Sequence, residues 1–238
     1  MHRDEIPGLS SAVIHEAAQR ALDEDRGSLD ITSQSVIPED LEAKARLFIK
    51  EEGVLSGVAL AVAVFHLVNA ELKVVVKKQD GDLLRSGDTI LELEGKARDI
   101  TTGERVALNF LQHLSGIATE TAKYVTAVGA HKARILDTRK TIPGLRVLQK
   151  YAVRCGGGMN HRVGLYDEFM IKDNHFAMAA LQGLSMADVV REAKNFDSEK
   201  KLTVEVDNLD QIHQLMDLDI DQLLLDNMSC QQMEEAVQ

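Results

Sequence analysis

From about Ala133 onward the chain repeats a short apolar run, a polar loop and an amphipathic segment, and this repeat constrains the fold more than any other feature. The apolar runs are Ile135-Leu136, Phe169-Met170-Ile171, Leu202-Thr203-Val204 and Leu223-Leu224-Leu225. Helical spacing follows at Leu145 to Arg154, at Met186 to Ala193 after Ser185, and at Asp210 to Met216. Strands alternating with helices imply a parallel sheet, open or closed into a barrel. Each run ends in polar chemistry: Asp137-Thr138-Arg139-Lys140, Lys172-Asp173-Asn174-His175, Glu205-Val206-Asp207 and Asp226-Asn227. In βα barrels the carboxyl ends of the strands gather at the catalytic mouth. Strand ends that deliver cation, cation, acid and acid to one rim suit an anionic substrate accompanied by a divalent metal.

Charge sharpens that reading. The 238 residues carry a formal net charge of −11, yet His131 to Arg162 holds eight basic residues against the single acid Asp137. Such concentration points to a focused anion site, with phosphates and carboxylates as the expected guests. The run Gly156-Gly157-Gly158-Met159-Asn160-His161-Arg162 sits inside it. Glycines beside arginines let backbone and fork-shaped donors come close to an anion. The acidic balance elsewhere argues against broad nucleic-acid or membrane-surface binding. The apolar run Val58 to Val68 is too short to span a bilayer and reads as a buried helix. Cys155 and Cys230 have no metal or redox spacing, and Met1-His2-Arg3-Asp4-Glu5 lacks a secretory apolar run, so a cytoplasmic protein is expected.

Residues 1–100 read as a mixed α/β module. Ser11 to Leu22 has helical apolar spacing, Ala43 to Ile49 alternates as a half-buried strand, and a helix follows Gly57. Leu72 to Val76 and Thr89 to Leu93 read as strands around the turns Asp80-Gly81 and Ser86-Gly87-Asp88. Thr101, with Glu104 three residues on, is expected to open a long helix through a capping box. Val106, Ala107, Phe110, Leu111, Leu114 and Ala118 give that helix an apolar stripe, and Arg105, Asn109 and Gln112 lie opposite. The helix is expected to join two domains, residues 1–114 and 115–238.

At these residues the chain resembles the quinolinate phosphoribosyltransferases. The strings that carry the resemblance are Thr102-Gly103-Glu104-Arg105 with Asn109-Phe110-Leu111-Gln112, and Asp137-Thr138-Arg139-Lys140-Thr141 with Pro143-Gly144-Leu145-Arg146. Gly156-Gly157-Gly158 with Asn160-His161-Arg162, Ile171-Lys172-Asp173-Asn174-His175, Glu205-Val206-Asp207 and Leu225-Asp226-Asn227-Met228 continue it. The resemblance implies an α/β fold: an N-terminal α/β sandwich plus an incomplete α/β barrel of parallel strands. It also implies that quinolinate displaces pyrophosphate from 5-phosphoribosyl 1-pyrophosphate with loss of carbon dioxide, giving nicotinate mononucleotide for NAD biosynthesis. Mg²⁺ is the implied cofactor, and a homodimer or hexamer the implied assembly. Carried over by motif, Arg105, Thr138, Arg139, His161, Arg162 and Lys172 would bind quinolinate. Lys140, Glu205 and Asp226 would serve the phosphoribosyl side, with the two acids holding the metal. The residue matching Arg105 is supplied by the neighbouring subunit.

A closed barrel needs about eight strands, and about four βα units are legible, so a truncated barrel lacking the family's later glycine-rich phosphate loop is expected. A catalytically silent form that only associates with full-length subunits is the alternative. A Schiff-base role for Lys140 or Lys172 in another βα-barrel enzyme is weaker, because such chemistry needs fewer cations. Arg146, Lys150 and Arg154 recur every four residues and read as one solvated helix face. Cys155 reads as a packed thiol, and the triple glycine as a turn.

Overall fold

The computed structural model describes residues 9–238; the Met1 to Glu5 stretch read above lies outside them. Two compact units divide between His161 and Arg162. The structure is a mixed α/β one throughout.

In the first unit, α1 (Ser11–Arg26) begins where the Ser10 hydroxyl accepts the Val13 N–H, and it ends at Gly27 with φ +55°. It runs past the acidic triplet where the apolar spacing stops, because Gln19 donates to the Asp23 carboxylate one turn on and glycine supplies the stop. Asp30 then caps α2 (Ile31–Val36), which hydrophobic spacing alone does not reveal. Strands β1 (Glu42–Phe48), β3 (Lys73–Val76) and β5 (Thr89–Lys96) form an antiparallel sheet in the order β1-β5-β3, with Ala45 and Val74 both level with Leu93. The short strands β2 (Gly53–Val54) and β4 (Leu83–Leu84) pair separately. The apolar helix α3 (Val58–Val68) buries Val64 and Phe65 against Leu47, Leu91 and Leu93 of the sheet.

Helix α4 (Ala97–Val128) starts four residues before the expected Thr101 capping box. Lys96 is the extended residue before it, and the Thr101 hydroxyl donates back to the Ala97 carbonyl, so Thr101 continues the helix instead of opening it. Five of the six residues expected in its stripe are buried, Val106, Ala107, Leu111, Leu114 and Ala118, and Phe110 is half-buried. Residue 114 falls inside this helix, which belongs wholly to the first unit. Leu114 packs with Leu148 and Ala152 of α5 (Arg146–Cys155), and Ala118 with Cys155. That packing keeps α5 and the glycine run with the first unit. Ile135-Leu136 forms no full strand; Leu136 makes an isolated parallel bridge to Met159.

The second unit alternates β6 (Phe169–Ile171), α6 (Asp173–Ala180), α7 (Met186–Phe196), β7 (Leu202–Val206), α8 (Leu209–Leu215), β8 (Gln222–Leu225) and α9 (Cys230–Val237). The strands are parallel in the order β6-β7-β8, as the alternation predicts. The central strand buries Leu202, Val204 and Val206 against Val190, Ile212 and Leu215 of the covering helices. Among the described residues, no helix is long and apolar enough to cross a membrane.

Candidate active site

The cationic loop of the first unit is built on a buried ion pair. Lys150 of α5 is 4% exposed, and its ammonium contacts the Asp137 carboxylate. Neither charge could be left alone there. Asp137 accepts the His161 N–H at 2.9 Å and an Asn160 amide N–H at 2.5 Å, while Lys150 also donates to the His161 carbonyl at 2.9 Å. These bonds hold two short parallel segments in register, where Met159 N–H donates to the Ile135 carbonyl and Asp137 N–H to the Met159 carbonyl.

Beyond Asp137 the chain folds tightly. Thr138 Oγ1 accepts the Lys140 N–H at 3.0 Å, and Thr141 N–H reaches the Arg139 carbonyl at 2.9 Å. The Arg146 guanidinium closes over this turn, donating to Thr141 Oγ1 at 3.1 Å and to the Arg139 carbonyl at 3.4 Å. Arg139 is left with a buried Nε that meets no hydrogen-bond partner among the described residues. A buried guanidinium donor without an acceptor is costly, and a carboxylate or phosphate would satisfy it. Lys140 is exposed beside it.

The solvated-face reading of Arg146 and Lys150 is therefore corrected. The helix presents them to the segments on either side of it, where Thr141 Oγ1, the Arg139 and His161 carbonyls and the Asp137 carboxylate accept their hydrogen bonds. The glycine run also needs a different reason from anion approach. A Cβ on Gly156 would lie 2.3 Å from the Ala118 carbonyl oxygen, and one on Gly158 would lie 2.7 Å from Val153 Cγ1. Close packing of α4 against the end of α5 demands them.

Next to Lys150, Tyr151 donates to Asp80 Oδ2 at 2.7 Å, and Asp80 Oδ1 accepts the Val58 N–H at 3.0 Å. Burial pushes the Asp80 carboxyl above the ordinary carboxylate range and the Tyr151 phenol above its own. Cys155 accepts from the Ser56 hydroxyl at 3.4 Å, and burial pushes its thiol up to about 11. It is the packed thiol expected from sequence.

In the second unit, three polar residues end adjacent parallel strands. Ile171 is level with Val204, so Lys172 stands beside Glu205, and the two form an ion pair with side-chain exposures of 41% and 14%. Glu205 is level with Leu224, and Asp226 N–H donates to the Val206 carbonyl at 2.8 Å. Side chains alternate along a strand, so Glu205 and Asp226 belong to the same face. Asn227, which follows, has φ +54° and donates to Asp226 Oδ2 at 2.8 Å. Arg162 is buried and donates to the Glu168 carbonyl at 3.2 Å. Asp167 accepts the N–H groups of Val163 and Gly164. Burial alone would raise its carboxyl, but these bonds outweigh that and hold it below the usual range.

Within the first unit the structure thus brings Thr138, Arg139, Lys140 and His161 onto one hydrogen-bonded frame, and within the second it brings Lys172, Glu205 and Asp226 to one strand edge. Arg105 stands apart, exposed on α4 with Asn109 and Gln112, and makes no ion pair among the described residues. A cavity of about 490 Å³ in the first unit is lined by His113, Asn109, Arg20 and Leu148 among others, and by none of the predicted site residues. Sequence reasoning missed Lys150, Asn160 and Arg146 as supports of the site. The available signal was Asp137 as the lone acid in a basic stretch, directly after the apolar Ile135-Leu136, where burial of its carboxylate would require a counter-charge.

Comparison with known proteins gives these residues a family. Residues 30–115 match the N-terminal domain model of quinolinate phosphoribosyl transferase, and residues 117–238 match its C-terminal domain model. The chain belongs to the quinolinate phosphoribosyl transferase family. It is 43% identical to a nicotinate-nucleotide pyrophosphorylase [carboxylating] from Mycobacterium leprae over 92% of the chain and 77% of that protein. A probable enzyme of the same name from Bacillus subtilis is 41% identical over 86% of the chain and 69% of that protein. A nicotinate-nucleotide pyrophosphorylase structure from Francisella tularensis superposes with a TM-score of 0.90 at 39% identity, covering 99% of the chain and 82% of that one. NadC from Streptococcus pyogenes gives 0.92 at 42%, covering 97% and 81%. The two phosphoribosyl transferase domain models meet near residue 116, inside α4, whereas the compact units meet at residue 161.

Proposed function

We propose that the protein transfers the phosphoribosyl group of 5-phosphoribosyl 1-pyrophosphate to quinolinate and releases pyrophosphate and carbon dioxide, giving nicotinate mononucleotide for NAD biosynthesis. Membership of the family supports the reaction, and the buried, partnerless Nε of Arg139 is the observation that carries it. A donor held this way is preorganised for an oxyanion, and the planar fork matches a carboxylate as a point charge does not.

Quinolinate presents two carboxylates, and its binding falls to Arg105, Arg139, His161, Arg162 and Lys172, with Thr138 shaping the turn. Lys140 takes the phosphoribosyl side, where negative charge builds on the departing pyrophosphate. Glu205 and Asp226 face that charge with carboxylates. Among the described residues no three His, Cys, Asp or Glu side chains are grouped as a metal cage. Mg²⁺ fits such a pair all the same, because it commonly takes one or two carboxylates and completes its shell with substrate phosphates and water. Bound there, it would neutralise pyrophosphate oxygens; the ion pair from Lys172 holds Glu205 in place for that task.

The parallel order β6-β7-β8, with Lys172, Glu205 and Asp226 at the carboxyl ends, supports reading the second unit as part of an α/β barrel beside an N-terminal α/β sandwich. The exposed Arg105 supports a homo-oligomer, dimer or hexamer, in which Arg105 serves a neighbouring subunit. A cytoplasmic setting suits two cysteines that form no disulfide. The test is direct. Purified protein given both substrates is expected to form nicotinate mononucleotide only with Mg²⁺. The Arg139→Ala variant is expected to bind quinolinate about 2–4 kcal/mol more weakly, as removal of one partner of a desolvated charge pair does. Unchanged quinolinate affinity in calorimetry would overturn this reading.

A further inference from the structure

We infer that Lys150, Asp137 and Asn160 form a positioning device that sets the two anion-binding segments of the first unit, Thr138 to Lys140 and His161, at a fixed spacing. The inference rests on the proposed function for its consequence, but on geometry for its existence. None of the three needs to touch substrate. Asp137 is the residue immediately before Thr138-Arg139-Lys140, so fixing its carboxylate fixes where that turn begins. The opposite segment is held through its main chain: the His161 N–H goes to Asp137 and the His161 carbonyl to Lys150. The two charges of one ion pair therefore grip the two polar groups that flank a single residue. Asn160 closes the frame, since its amide donates both to Asp137 and, at 2.9 Å, to the Lys150 carbonyl.

Packing alone would not require this. Lys150 and Asp137 have side-chain exposures of 5% and 6%, and an apolar pair of similar volume often serves stability as well or better. What an apolar pair cannot do is fix the orientation of a peptide group. Registry is the best-attested use of a buried polar pair, and here it acts on the segments that carry Arg139 and His161. With Arg146 closing over the Thr138 to Thr141 turn from the same helix, α5 acts as the jig for the loop before it and the segment after it.

The experiment uses the double variant Asp137→Asn/Lys150→Met in the full chain, which removes the pair without stranding a charge. Two readouts are taken at a temperature where circular dichroism shows a folded protein. The first is amide hydrogen exchange at residues 137–141 and 159–161; a rise over wild type there, larger than any rise in β7, is expected. The second is steady-state kinetics. KM for quinolinate is expected to rise about tenfold or more, with a smaller change in kcat, because misplacing binding groups by a fraction of an ångström weakens substrate capture. A merely structural role would lower the melting temperature and the active fraction but leave KM unmoved. Unaltered exchange or an unaltered KM in folded protein would overturn the inference. If the double variant does not fold, Asn160→Ala, at an exposed position, keeps the ion pair and decides by the same two readouts. If wild-type protein turns over no quinolinate, the proposed function fails separately, and exchange alone then decides whether the jig exists.

Discussion

Gly156 lies against Ala118 so closely that a methyl group on its α-carbon would sit 2.3 Å from the Ala118 carbonyl oxygen. The obstacle is helix backbone, which has no flexible end to move aside. Gly156→Ala is therefore expected to destabilise the first unit by about 1–3 kcal/mol, the usual cost of forcing a methylene into packed structure. Chemical denaturation followed by circular dichroism checks this. Gly87, with open space where a Cβ would lie, is no spatial control, because its φ of +92° strains any side chain. Gly116 is exposed, with open space at its Cβ, and Gly116→Ala is the proper comparison; it is expected to leave stability unchanged or raise it.

Lys172 and Glu205 make the opposite case, a pair whose loss should register in chemistry more than in stability. Lys172 is partly exposed, and exposed ion pairs contribute about 0–1 kcal/mol. Lys172→Gln is expected to shift the unfolding midpoint little while lowering kcat/KM by about a hundredfold or more, the scale of losing one preorganised charge at a reacting centre. Equal losses in stability and activity, with the surviving folded fraction fully active, would contradict it.

Subunit sharing has its own signature. Mixing Arg105→Ala protein with Lys172→Ala protein, followed by reassociation, is expected to restore about a quarter of wild-type activity, because half of the random dimers hold one intact site of two. No recovery, with mixed oligomers verified by mass, would mean that Arg105 serves its own chain.

Much of this architecture is legible in the amino-acid sequence. Leu202 to Val204 is recognisable because a central parallel strand buried on both faces reads as a near-continuous apolar run, and the less fully buried Phe169 to Ile171 and Leu223 to Leu225 beside it keep the same pattern. The stripe from Val106 to Ala118 was legible because one helix face is buried along its length. The start of α4 was not: its capping position is Lys96, whose side chain makes no cap, and the Thr101-Glu104 pair that mimics a capping box sits a full turn inside. Lys172, Glu205 and Asp226 are legible as charges at the ends of apolar runs, and the structure places them at the carboxyl ends of β6, β7 and β8. The supports of the Thr138 to Lys140 turn were hidden, because a buried Lys150 and a solvated one have the same sequence spacing, and only the three-dimensional proximity of Asp137 separates them.

The two cysteines should respond differently to alkylation. Cys155 is buried with its thiol pushed up to about 11, while Cys230 is exposed. Iodoacetamide at pH 8 is expected to label Cys230 alone in folded protein and both in urea, as thiolate fraction and access dictate. Mass spectrometry of the peptides checks this.

Asp80 predicts a pH dependence. Burial raises its folded-state pKa above the unfolded value, so its contribution to stability is full below the ordinary carboxylate range. That contribution is lost as pH rises through the folded value. Asp80→Asn, which cannot ionise, is expected to gain on wild type in stability as pH rises across that window. A difference between the two that grows as pH falls, with wild type losing ground, would have the wrong sign.

Asp80 also completes a picture of α5. Consecutive residues of that helix, Lys150 and Tyr151, are anchored in different directions, one to Asp137 and the other to Asp80. Successive helical residues differ by about 1.5 Å in height and point some 100° apart, so neither sliding nor rolling of α5 can preserve both anchors. The helix is pinned about two axes at once, like a key that can neither turn nor withdraw. The Thr138 to Thr141 turn that α5 supports is thereby tied, through Tyr151 and Asp80, to the first residue of α3, so a change at Asp80 would loosen a loop it never touches.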